Sequence, residues 1–190
     1  MSLRLVTGFV AFILGAAALF AVQQLAFPVQ AASGCSGAAS KPWTPVKGRA
    51  YRAEAFSNGP TCPLAAVTIV VRAPDGKVLW ADAAPAEHVM TFVEVKTRAQ
   101  MTRALGEWLS QNHMFKSSAE LPEWKKGADA PMSGEFQFIP EPEYDRDAYE
   151  QARAAKSPVF CYVQGMESMA CLILSNDGQM TKIGVQTFPG

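Results

Sequence analysis

Hydrophobic and polar positions alternate clearly in only parts of this chain, and the change of period divides it into elements. The run "AAVTIVVRAPDGKVLWADA" is the clearest unit. Val67, Ile69 and Val71 fall on one face of a strand. Pro74-Asp75-Gly76 supplies a turn, because Pro presets φ, Asp bonds nearby backbone and Gly takes the left-handed position. Lys77 to Ala81 returns as the partner strand, and "HVMTFVEV" (His88 to Val95) is predicted as a third.

The period then shifts to that of a helix. Thr97 and Gln100 have capping-box spacing. Met101, Ala104, Leu105, Trp108 and Leu109 make one apolar stripe, and Asn112 or His113 is expected to end it. Gly106 interrupts the helix, which a close approach to a sheet would explain. Residues 115–133 show no period and are expected to be a mobile surface or a lid. "GEFQFIP" alternates again as a half-exposed strand. "EPEYDRDAYEQARAAK" is predicted as a second helix, acidic at its start and basic at its end, with Tyr144, Ala148, Ala152 and Ala155 as a narrow packing face. Pro158 stops it. Three strands close the chain at 158–164, 170–175 and 182–188, the last two joined by Asn176-Asp177-Gly178. Hairpin connections predict an α+β fold: a mainly antiparallel sheet of six or seven strands with two helices on one face. The domain is expected over 51–190, after a flexible Pro/Gly/Ser tether at 32–50.

Ahead of these elements the pattern is uniform. No charged residue lies between Arg4 and Lys41, and Leu5 to Val22 is almost continuously apolar. One positive charge, an apolar run and small residues match a secretory leader, with cleavage expected after Ala31. Two rivals stay open: residues 5–22 retained as a membrane anchor, and a lipid on Cys35, since "AASGC" resembles a bacterial lipobox without its usual Leu. Each directs the domain out of the cytoplasm, to the periplasm or the exterior.

An export route changes the meaning of the four cysteines. If "VFCYVQG" and "MACLILS" form a hairpin centred on Met166, Cys161 faces Cys171, within disulfide reach. Cys35 and Cys62 then remain for each other.

Lys plus Arg equals Asp plus Glu, at 17 each. This balance argues against a general pull on nucleic acid or anionic lipid. The motifs of nucleophilic hydrolases, P-loops, zinc proteases and dinucleotide folds are absent. His88, near Glu87 and Asp82, is the one candidate base, in a pocket that would include Trp80 and Tyr144. His113 suits a helix cap. Met90, Met166 and Met169 raise metal handling through thioethers, although no metal or cofactor is expected. The acidic group Glu141, Glu143, Asp145, Asp147 and Glu150 lacks calcium-loop spacing. Trp124, Lys125 and Lys126 are the expected contact residues for a protein or envelope partner. The sequence therefore suggests an exported binding or accessory module, with a small hydrolase or a metal-handling protein as alternatives.

Overall fold

In the computed structural model, residues 34–111 and 115–188 are described. The leader or anchor at 1–31 and the cap at His113 lie outside them. The fold is α+β, but it has two antiparallel sheets instead of one sheet of six or seven strands.

The first sheet is a meander of β1 (Gly37–Val46), β2 (Arg49–Asn58), β3 (Ala66–Arg72) and β4 (Val78–Pro85). The expected tether is corrected here, because residues 37–46 are an ordered edge strand. Pro42 and Pro45 look like loop residues, yet an edge strand tolerates a missing N–H. Tyr51, Ala53, Ala55, Val67, Ile69 and Val71 are buried on the inner face. Gly76, at φ 88°, makes the β3–β4 turn.

The expected strand at His88–Val95 is also corrected. It is two 3₁₀ turns, Ala86–His88 and Met90–Phe92. Ala86, Val89, Phe92 and Val95 are all buried. Their spacing of three matches 3₁₀ geometry, in which i and i+3 eclipse.

Helix α1 (Arg98–Trp108) begins at the Thr97–Gln100 capping box and buries Met101, Ala104, Leu105 and Trp108. It packs on β1 and β2. A Cβ at Gly106 would meet nothing within 4 Å, so no close approach accounts for that glycine.

The second sheet has the order β5 (Met132–Ser133), β6 (Phe136–Pro140), β9 (Met180–Thr187), β8 (Ser168–Leu174), β7 (Val159–Val163). Helix α2 (Arg146–Ala154) starts later than the sequence suggests, with the Asp145 carboxylate accepting from Ala148 N–H. Its buried residue is Tyr149; Ala155, expected on the packing face, is exposed. Tyr149 packs against Phe138 of β6, their ring centroids 5.7 Å apart.

One hydrophobic core joins these parts. Trp43 of β1 meets Phe160 of β7 edge-on at 5.3 Å. Trp108 meets Phe92 and Tyr162, and its Nε1 donates to the Val163 carbonyl at 2.7 Å. Two disulfides, Cys35–Cys62 and Cys161–Cys171, account for all four cysteines. Cys161 pairs in register with Cys171. Gln164 N–H donates to Ser168 O, so by alternation the cysteine pair is a non-hydrogen-bonded one, where side chains lie closest. No helix among the described residues is long and apolar enough to cross a membrane.

Candidate functional site

The residues singled out in the sequence are not gathered into one site. His88 ends an exposed 3₁₀ turn. Its side chain is 68% exposed, and its Nε2 lies 3.9 Å from a Glu87 oxygen. Of the carboxylates expected to orient it, Glu87 stands beyond hydrogen-bond reach and Asp82 is engaged elsewhere. Asp82 accepts a hydrogen bond from Tyr162 Oη at 2.8 Å, and Tyr144 Oη shares one with Thr181. A general base needs an orienting partner and a sheltered proton path, and His88 has neither in this geometry.

The 115–133 segment is strapped down, which corrects its reading as a mobile surface or lid. Leu121 is buried, and its carbonyl accepts from Arg153 Nε at 2.9 Å. The Pro122 carbonyl accepts from Tyr149 Oη at 2.8 Å. Trp124 donates its backbone N–H to Glu150 and its indole N–H to the Ala128 carbonyl. The indole meets Tyr149 edge-on, and the Arg146 guanidinium lies 5.3 Å from its centroid. Half-buried and doubly bonded, Trp124 anchors the loop to α2. Lys125 and Lys126 remain exposed beside it.

Three of the five acidic residues are spent on structure too. Asp145 caps α2, Glu150 pairs with Arg153, and Glu141 pairs with Lys182 at 2.7 Å. Among the described residues no three His, Cys, Asp or Glu side chains are grouped to hold a metal. Met90 N–H donates to the Gly165 carbonyl, which brings exposed Met90 to the hairpin turn that carries exposed Met166. Met169 is buried. Oxidation of Cys161 and Cys171 removes the thiolates that would favour a soft cation beside them.

What sequence reasoning missed is a polar bridge between the two sheets. Tyr162 Oη, on buried β7, donates to Asp82 and accepts from Trp80 Nε1 at 3.1 Å, both on β4. Burial first, then the hydrogen bond and charge of Asp82, push the Tyr162 phenol far above its ordinary range. Such a phenol stays protonated, which suits a strut and not a base. Alternation in "LWAD" could have shown that Trp80 and Asp82 share a face.

Two surfaces remain open. On the outer face of the first sheet, Ala38 and Ser40 (β1), Glu54 and Phe56 (β2), Thr68 and Val70 (β3) and Ala81 and Ala83 (β4) form rows across the strands. No helix or second sheet among the described residues lies over them. Phe56 is 39% exposed there, while Val70 is buried between its neighbours at 8%. Arg52 and Arg72 clasp Glu54 at 2.9 and 2.8 Å at one end of this face. The second surface is a cleft of about 550 Å³ beside the Cys35–Cys62 disulfide, lined also by Gly34, Pro60, Pro63, Lys96 and Arg98.

Compared with protein-family models, curated proteins and solved structures, the chain matches none.

Proposed function

We propose that this protein is an exported binding or accessory module of the cell envelope, presenting the open face of the β1–β4 sheet to a protein or envelope component. Residues 5–22 hold it at the membrane, or cleavage after Ala31 releases it. The observation that carries the reading is the uncovered sheet face. An antiparallel sheet can leave one face to solvent, but that face is then normally polar. Here Phe56 and several exposed alanines lie on that face around a buried Val70, with the Arg52–Glu54–Arg72 cluster beside them. Two disulfides support an extracytoplasmic setting. The sheet face replaces the 115–133 loop as the contact surface, because that loop's aromatic residue is committed to α2.

Intact mass of the protein recovered from fractionated cells tests this reading. The expected product lies outside the cytoplasm, resists alkylation until reduced, and reveals by its mass whether the leader remains. A cytosolic product with all four thiols titratable overturns it. The Cys35 disulfide occupies the sulfur that a lipid would need, so an added acyl mass would also contradict the pairing. His88→Ala should leave function intact; loss of activity with unchanged stability would support a hydrolase instead.

A further inference from the structure

At the Arg52 end of the open face, the β1–β2 hairpin outruns its neighbour. The last β2–β3 pair is Arg52 with Arg72, so Arg49, Ala50 and Tyr51 continue without a β3 partner. The β3–β4 turn stands across the gap, braced by Arg72 Nη1 donating to the Gly76 carbonyl at 3.1 Å. Between them lies a cleft of about 310 Å³, lined by Pro42, Ala50, Tyr51, Arg52, Ala73 and Pro74. Arg52 brings a charge to a lining otherwise built from proline, alanine and tyrosine.

Arg52 is aimed as well as charged. Its Nε pairs with one Glu54 oxygen at 2.9 Å, and Arg72 Nε donates to the other at 2.8 Å. The clasp spends Glu54 twice and holds the Arg52 guanidinium by its Nε side. Nothing among the described residues takes the Arg52 Nη groups, and the side chain is 57% exposed. A guanidinium held in this way offers paired donors to the oxygens of a phosphate or a carboxylate. Charge decides between the two. Lys47, Arg49, Arg52, Arg72 and Lys77 occupy these turns and strand ends, against Glu54, Asp75 and the Asp177 that faces Lys77. The excess of two positive charges matches a phosphate monoester, close to doubly negative at neutral pH, better than a carboxylate. Arg49 has the opposite strand parity to Arg52, and Lys47 sits at the hairpin tip, so both act through their field and not by contact.

We propose that this cleft binds a phosphate monoester, with the phosphate on the Arg52 Nη groups and the esterified group against Pro42, Ala50 and Pro74. The ligand is held without reaction. The site requires neither export nor a partner on the centre of the sheet, so it stands or falls separately from the function proposed above.

The test titrates phenyl phosphate, with benzoate as a singly charged control, into the isotopically labelled full chain, in detergent if the leader remains. The amide NMR shifts of Ala50, Arg52 and Ala73 should saturate with phenyl phosphate at a Kd of about 1 mM or below. Benzoate should bind about 10-fold more weakly, having half the charge and one oxygen fewer. Arg52→Ala should weaken phenyl phosphate about 10- to 100-fold, the loss expected for bonds between charged groups. Lys47→Ala with Arg49→Ala leaves the Glu54 clasp whole and should weaken it about 3-fold through the field alone. Equal affinity for benzoate, shifts that do not saturate, or unchanged affinity in Arg52→Ala overturns the site. Arg52-dependent flotation with phosphatidic acid vesicles, absent with phosphatidylglycerol ones, would identify a lipid as the source of the ester. Phenyl phosphate binding without that flotation identifies a soluble one.

Discussion

Replacing Tyr162 by Phe removes one oxygen from the bridge between the sheets and keeps the ring. The ring's contacts with Trp108 and Phe160 should persist. Lost are a hydrogen bond to the Asp82 carboxylate at 2.8 Å and one from the Trp80 indole at 3.1 Å. Bonds to charged groups contribute about 1.5–3 kcal/mol and neutral ones about 1. Trp80 and Asp82 are only partly buried, so water recovers some of this. The expected loss is about 2 kcal/mol, read from urea unfolding at neutral pH without reductant. The same substitution should alter the alkaline limb. Burial holds both Tyr149 and Tyr162 far above the ordinary tyrosine range near 10 in the folded state, while the unfolded chain ionises there. Their raised folded-state values give stability that is complete below about pH 10 and declines as pH rises beyond it. Each contributes a slope of about 1.4 kcal/mol per pH unit, so Tyr162→Phe should remove about half of the tyrosine share. A loss under about 0.5 kcal/mol with an unchanged alkaline slope would refute the bridge as a stabilising contact.

Gly106→Ala should stabilise the protein by about 1 kcal/mol in the same unfolding assay, since the added methyl meets open space inside α1. Trp124→Ala should cost about 2–3 kcal/mol by thermal or urea unfolding, because the indole packs on Tyr149 and under Arg146; a neutral result would return the loop to the surface. Removing both cysteines of a pair should cost about 3.6 kcal/mol for Cys35–Cys62 and about 2.7 for Cys161–Cys171, following their separations of 27 and 10 residues; the reverse order would contradict the loop-entropy account.

Local signals carried much of the architecture. The Pro-Asp-Gly and Asn-Asp-Gly turns, the Thr97–Gln100 box and the register across Met166 depend on neighbours in sequence, and those elements lie where the pattern puts them. Which strands share a sheet depends on distant packing, so period-2 alternation could not divide the nine strands of the described residues into four and five. Pro42 and Pro45 mimic a loop because edge pairing leaves their missing N–H without consequence. Val89, Phe92 and Val95 offered a three-residue spacing that a strand reading absorbs too easily. The candidate site was less legible. Trp124 reads as a contact residue until Arg146 and Tyr149, some twenty residues away, are seen to claim it. The bridge from Tyr162 to Asp82 spans 80 positions and leaves no local trace.

Both rims of the open sheet are blunted, β1 by its two prolines and β4 by Asp82, whose other carboxylate oxygen takes the Ala83 N–H at 2.8 Å. An incoming strand therefore finds donors missing on one rim and one donor already taken on the other. Crowded molecules can meet through the flat of this sheet, but they are denied the seam along which ribbons would grow into fibrils.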